Sequence, residues 1–377
     1  MHFNVQNNVK DRFTDYNEIV IKKKNKYVLF LGGTKMFKKK LFALGLAAVM
    51  SVGLFVGCGA KKNEAKQNKT LTVYCGLMQD HMIKAAKEFE NETGIKVEAV
   101  RMSSGEILGR INAEKENPKA SIWFGGPADG FISAKEKGLL DAYVSPNAEK
   151  IPEKFKDAEG YWTGIYKGYL GFVSNEVLLK ERGIEKPQTW EDLLKPEFKG
   201  QVVMANPGSS GTAYTTLATV LQLMGEEKGL EYMAKLDKQM KTYTKSGTAP
   251  GRMAGQGECM VGITFLHDAI KYKEEGMKDI TISAPAEGTG FEIGAVGIIK
   301  GAPQMDAAKK FIDWVLTKEA QEIGQTVGSY QFLTNPEASN PEQAKQIEHT
   351  KLIDYNFKWA GENRGELVEK WNEAVKK

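Results

Sequence analysis

Residues 70–100 read TLTVYCGLMQDHMIKAAKEFENETGIKVEAV. Leu71–Cys75 is an apolar, β-prone run. A loop at Gly76 to Asp80 follows, and Met82, Ile83, Ala86 and Phe89 then recur at helical spacing, which predicts a helix near Asp80–Glu92. Thr93-Gly94 ends it, because glycine accepts the left-handed conformation that closes a helix. Lys96–Val100 is a second β-type run. Short strands alternating with amphipathic helices are the pattern of an α/β fold with mostly parallel sheets.

The same alternation runs outward from this stretch. A helix is expected over Glu106–Glu116 and a strand over Ser121–Phe124, ending in Gly125-Gly126-Pro127. The Gly/aromatic stretch from Gly164 to Asn175 reads as a strand leaving a first lobe. Gln201–Ala205, Met260–Phe265 and Ile280–Ala284 then build a second lobe, and Gly294–Lys300 returns to the first. From Gln304 to Lys377 the pattern is helical, with Ala308, Phe311, Ile312, Val315 and Leu316 on one face. The expected organisation is therefore lobe 1 from 70–172 and 290–377, and lobe 2 from 173–289. No internal repeat is present.

The 377 residues hold 52 Lys+Arg and 48 Asp+Glu, a formal net charge of +4. Ten of the basic residues and only Asp11, Asp15 and Glu18 of the acidic ones lie in residues 1–57, which leaves 42 basic against 45 acidic for the remainder. A body with a net charge of −3 gives no compositional support for nucleic-acid binding. With 41% apolar and 27% charged residues the composition is globular. Three cysteines make no disulfide scaffold, Cys75 and Cys259 read as buried thiols in different lobes, and no pair has zinc-ligand spacing. No metal or cofactor is expected.

The front of the chain reads as an address. Met36-Phe37-Lys38-Lys39-Lys40 is followed by an apolar, small-residue run from Leu41 to Gly57, the grammar of an export signal. Phe55-Val56-Gly57-Cys58 resembles the bacterial lipobox, which makes Cys58 the expected lipidated first residue of an exported, membrane-anchored protein. Residues 1–35 precede an otherwise complete signal, so translation is expected to start at Met36. Residues 58–69 read as a polar tether.

Catalytic signals are few. Gly208-Ser209-Ser210-Gly211-Thr212 is neither a nucleophile elbow nor a P-loop. Binding signals are better, since this loop opens a helix carrying Tyr214, Leu217, Val220 and Leu221. A helix start presents free N–H groups and partial positive charge, small hydroxyl residues add donors, and glycine permits close approach. Thr244 to Pro250, with Ser246 and Thr248, repeats that chemistry. In the first lobe Ser103-Ser104-Gly105 opens a helix likewise, and Gly76 follows the first strand. These loops lie at strand carboxyl ends, where open α/β sheets bind ligands. The nearest cations in sequence are Lys245 and Arg252. His267-Asp268, after Met260–Phe265, and Glu292 are candidates for hydroxyl or amine recognition. A plain helix cap at Asp268 and a surface His267 are the alternative. Trp123, Trp162 and Trp190 suit the core, with Trp123 and Phe265 better placed as ligand platforms.

Taken together, the lipobox, the Leu71–Glu92 start, Pro187-Gln188-Thr189-Trp190-Glu191-Asp192-Leu193, and Ser210-Gly211-Thr212 resemble the extracellular solute-binding proteins of ABC importers. Within them, the resemblance is to the cluster with ferric-iron, thiamine, phosphonate and hexose-phosphate binders. It implies a two-lobed, type 2 periplasmic-binding-protein fold joined by hinge strands. It also implies a non-enzymatic, monomeric receptor that delivers a small anionic solute to a membrane permease driven by a cytoplasmic ATPase. Iron-binding relatives place a histidine in the first loop and a tyrosine pair after the strand matching Met260–Phe265. Here Met78 and His267-Asp268 stand there, and the latter resembles the hexose-phosphate branch. On that resemblance Ser209, Ser210, Gly211, Thr212, Ser246 and Thr248 take the phosphoryl group, and His267, Asp268 and Glu292 the polar remainder. An iron or thiamine receptor, and a secreted phosphoester hydrolase using His267 and Asp268, are the rival readings.

Overall fold

A computed structural model of the chain describes residues 69–376. The readings made for residues 1–57, for Cys58 and for most of the tether lie outside the described residues. The strands are β1 (Thr70–Cys75), β2 (Lys96–Arg101), β3 (Ile122–Pro127), β4 (Leu140–Asp141), β5 (Thr163–Asn175), β6 (Val202–Ala205), β7 (Met240–Thr244), β8 (Val261–Phe265), β9 (Ile280–Ser283), β10 (Phe291–Ile299) and β11 (Phe332–Leu333). They hydrogen-bond in the order β2-β1-β3-β10-β5-β8-β6-β7. β1 pairs in parallel with β2 and β3, and β6 pairs in parallel with β7 and β8. Each half is thus a parallel sheet flanked by helices, as expected, and β5 and β10 join it antiparallel.

β5 belongs to both sheets. Thr163 to Tyr169 pairs with β10, and Leu170 to Ser174 pairs with β8 without interruption. Its pattern explains this, since it is buried along nearly its whole length, as a strand covered on both faces must be. Around it lie two main apolar cores. One gathers Leu71, Phe89, Ile107, Phe131, Ile298 and Phe311, the other Phe172, Trp190, Tyr214, Leu217, Ile263 and Trp371.

Three features depart from the sequence reading. The helix Gln79–Thr93 ends on Gly94 at φ 70° as expected, but it buries His81, Ala85 and Phe89 and leaves Ile83 52% exposed. Phe89 packs edge-on against Phe311 and Trp314, and the residues four and eight positions before it share its side of the helix. His81 therefore occupies an interior position, its Nδ1 3.1 Å from Ser329 Oγ. Second, the stretch after Gln304 is not helical throughout, because β11 inside it pairs with β5. Third, the segment assigned to lobe 1 as 290–377 divides. Tyr355, Ala360, Leu367 and Trp371 pack into the second core.

That terminal segment is fastened to the first half by a buried ion pair. Arg364, at the start of the helix Arg364–Val375, donates to Asp129 Oδ1 at 2.6 Å, and its guanidinium lies 4.0 Å over the Tyr214 ring. Burial nonetheless raises the Asp129 carboxyl to about 6, outweighing the attraction of Arg364. Removing one partner leaves the other charge buried and alone. Arg364→Met should therefore lower unfolding free energy by about 3–5 kcal/mol. Asp129→Leu combined with Arg364→Met should restore most of it. Urea denaturation of both variants checks this, and equal loss in the double variant would count against it.

Candidate functional site

The carboxyl ends of β1, β2 and β3 from one half face those of β6, β7 and β8 from the other. Between them lies a cavity. Of the residues selected from sequence, Gly76, Ser103, Ser104, Ser210, Gly211, Thr212, Thr248, His267, Asp268 and Glu292 line it. Ser209 and Ser246 do not. Ser209 Oγ donates to the Lys245 carbonyl at 3.1 Å, and its own carbonyl accepts from the Gly105 N–H across the cleft at 3.0 Å. Ser246 Oγ stands behind the wall, accepting from Arg101 at 3.2 Å and 3.0 Å from Thr248 Oγ1.

Two helix starts meet at one side of this cavity. Ser210 caps the helix Gly211–Met224 by accepting from the Ala213 N–H, which leaves the Gly211 and Thr212 amides of the first turn outside the helical ladder. Ser103 opens the helix Ser104–Ala113, where the Glu106 carboxylate closes a capping box by accepting from the Ser103 N–H at 3.2 Å. The halves touch here because side chains are missing. A Cβ on Gly105 would lie 2.3 Å from the Gly208 carbonyl oxygen.

Arg101, the last residue of β2, lines the cavity, although the sequence pointed to Lys245 and Arg252 as the local cations. Lys245 instead pairs with Glu106 at 2.5 Å on an exposed surface, and Arg252 lies 5.2 Å from the Tyr272 ring centre. Position alone signals Arg101: it ends a parallel strand two residues before Ser103. Gly126, Pro127, Tyr166, Gly247 and Gln331 also line the cavity and were not picked out. Phe265 lines it as expected, whereas Trp123 is stacked on Phe131 in the core. Met78 lines it too, where iron-binding relatives are expected to carry histidine.

The lining also carries a buried acidic cluster. His267, Asp268 and Glu292 are 5%, 3% and 2% exposed, so the surface and cap readings of this pair are replaced by a buried cluster. The local cause is the helix Leu266–Glu274, which follows β8 without an intervening turn, Phe265 being both the last residue of β8 and the N-cap of the helix. His267 and Asp268 consequently fall in its first, inward-facing turn. His267 Nε2 lies 3.5 Å from Asp268 Oδ1 and 3.9 Å from Glu292 Oε1, and the ring stacks on Phe265. Gly168 on β5 makes room for it, since a Cβ there would lie 2.4 Å from the imidazole. Burial lowers His267 to about 3 and raises Asp268 to about 7, Arg101 and Lys271 opposing the latter only in part. Glu292 is pushed well above the usual carboxylate range by burial and then by Asp268 and Asp129.

A profile of the family described as bacterial extracellular solute-binding protein matches residues 128–363. An uncharacterized protein of Haemophilus influenzae is 39% identical over 87% of this chain and 96% of its own. A putative 2-aminoethylphosphonate-binding periplasmic protein of Salmonella typhimurium is 28% identical over 62% of this chain and 68% of its own. Among solved structures, the periplasmic binding protein AfuA of Actinobacillus pleuropneumoniae, with exogenous fructose-6-phosphate bound, is 42% identical. It covers 81% of this chain and 98% of its own with a TM-score of 0.78.

The raised Asp268 carboxyl has a consequence for stability. Between the ordinary 3.8 and about 7 the folded chain holds a proton that the unfolded chain has released. This contribution is complete at low pH and is lost as pH rises through about 7. Ligand-free Asp268→Asn should therefore melt at a higher temperature than the parent at pH 8 and show a smaller gain at pH 4. Thermal unfolding across that range provides the comparison, and parallel curves would contradict the burial argument.

Proposed function

Because this chain belongs to the bacterial extracellular solute-binding proteins and acts as the solute receptor of an ABC importer, we propose that its solute is a small phosphorylated or phosphonate molecule, hexose-phosphate-like. The observation that carries this reading is the polarity of the cavity. Two helix starts from opposite halves, with Ser104, Ser210, Thr212, Thr248 and Arg101, line it together with the buried His267, Asp268 and Glu292.

The helix starts and their hydroxyls suit a phosphoryl group. Amide N–H groups and hydroxyls replace its hydration shell, and hydrogen bonds to an ionised oxygen are about twice as strong as neutral ones. Arg101 supplies the formal charge. The acidic cluster needs donors, because closing the cleft strips water from two carboxyl groups, and burying such groups unpaired is costly. Sugar hydroxyls provide those donors, and so does an ammonium group. The fructose-6-phosphate of AfuA and the 2-aminoethylphosphonate of the Salmonella protein's name both have this two-ended chemistry. In this reading the solute is bound and released unchanged by a monomer, and Cys58 carries the lipid that holds the receptor on the membrane beside its permease.

Calorimetric titration with fructose 6-phosphate tests the assignment. Arg101→Ala, Thr212→Val and Asp268→Ala should each weaken binding by roughly ten- to hundredfold, the range for losing a hydrogen bond to a charged group. Full affinity in all three would sink the site. For the anchor, Cys58→Ser should move the protein from the membrane fraction to the soluble fraction. An unchanged distribution would remove the lipidation.

A further inference from the structure

We propose that His267, Asp268 and Glu292 hold one exchangeable proton in the ligand-free cleft, and that the solute decides its fate. A hydroxyl group leaves it in place, and an ammonium group expels it to solvent. The proposal rests on the phosphorylated-solute reading only for its choice of ligands.

The geometry leads there directly. Both carboxyl groups approach one imidazole nitrogen, Nε2, at 3.5 and 3.9 Å. A neutral imidazole has a single N–H, and Nδ1, turned toward Gly168, has no partner. One N–H cannot satisfy two carboxylates. Among the described residues no lysine or arginine nitrogen lies within 4 Å of either carboxyl group. Two buried negative charges 3–4 Å from a neutral ring and from no cation are resolved by protonating one of them, as in carboxyl pairs that share a site.

The groups facing the cluster agree. On β5, Tyr166, whose hydroxyl accepts from the Gly126 N–H, faces Glu292 and remains neutral, as does the buried Cys75 thiol at the end of β1. Asp129, on the helix Ala128–Glu136, adds negative charge and is matched by Arg364. The cations nearest Asp268 have other partners. Arg101 reaches the Leu77 carbonyl and Ser246, Lys271 reaches Glu275, Asp80 and the Val327 carbonyl, and Arg252 packs on Tyr272. Glu292 lies farther from the imidazole than Asp268, 3.9 against 3.5 Å, and faces the negative charges of Asp268 and Asp129, whereas Arg101 and Lys271 favour ionisation of Asp268, so Glu292 is the proton's seat. A solute hydroxyl brings donors without charge, and the proton stays. An ammonium group beside a carboxyl group lowers its titration by about 1–3 pH units, and the O–H proton of Glu292 passes to solvent or buffer as the ion pair forms.

The test is calorimetric titration of the full chain at pH 8, where phosphoryl groups are dianionic, in buffers of different ionisation enthalpy. The slope of binding enthalpy against ionisation enthalpy counts protons. We expect about one proton released per 2-aminoethylphosphonate and none per fructose 6-phosphate. Glu292→Gln should abolish the release, and Asp268→Asn should reduce it and serves if the first variant does not fold. Equal release for both solutes, binding of the amine without release, or unchanged release in the variants would overturn the proposal. Carbon-13 NMR of labelled glutamate in the ligand-free protein reads the proton without any solute. An ionised Glu292 at pH 8 overturns the proposal. A protonated Glu292 with no binding of either solute upholds it and removes the phosphorylated-solute reading instead.

Discussion

Everything about the site follows from one strand being hydrogen-bonded into two sheets. β5 carries the first half's ladder through Tyr169 and the second half's from Leu170, and the Leu170 N–H donates to the Gly290 carbonyl as the pattern changes over. A strand cannot slide against two ladders at once. Its register therefore fixes how the carboxyl ends of β1, β2 and β3 meet those of β6, β7 and β8. Relative movement of the halves has to be taken up by bending near this point and near the start of β10, which is how hinge strands permit closure without loss of either core.

In the proposed reading the cavity attracts an anion locally. With 42 basic and 45 acidic residues after position 57, the receptor offers no basic field. Helix starts act only over the first turn, so they matter where water is excluded and the ligand is in contact. Lys245 and Lys271 illustrate the division of labour. Both reach across the cleft, to Glu106 and to Asp80 respectively, and hold the two edges together, while Arg101 faces the interior. In that reading the cluster of His267, Asp268 and Glu292 supplies the discrimination. Its carboxyl groups are stable there only when given donors, which disfavours a bare anion that would bring none.

Much of this was legible in the amino-acid sequence because it depends on local chemistry. Gly94 had to close its helix, and Ser210-Gly211-Thr212 had to open one. The buried face of the helix Met305–Val315 follows from Ala308, Phe311, Ile312 and Val315. The helix Gln79–Thr93 followed the same reasoning only in part, since Phe89 and Met82 pack on the core while His81 and Ala85 take the buried places beside them and Ile83 is left outside. Ile83 is exposed and His81 is interior because Phe89 docks on Phe311, a contact between residues more than 200 positions apart. β7, β4 and β11 were missed for the related reason that short or half-polar strands owe their pairing to neighbours.

The sequence by itself determined the α/β class, the family resemblance, and which loops carry hydroxyl and glycine residues at helix starts, because periodicity and capping are properties of neighbouring residues. Only the tertiary structure decided that Arg101 is the cation inside the cleft, that Ser209 and Ser246 stand behind its wall, and that the last helix packs on the second core. It also decided that His267, Asp268 and Glu292, 25 positions apart in sequence, form one buried cluster. The physical reason is that desolvation and electrostatic coupling depend on distance in space and on access to water, and both are set by how β5 brings the two sheets together.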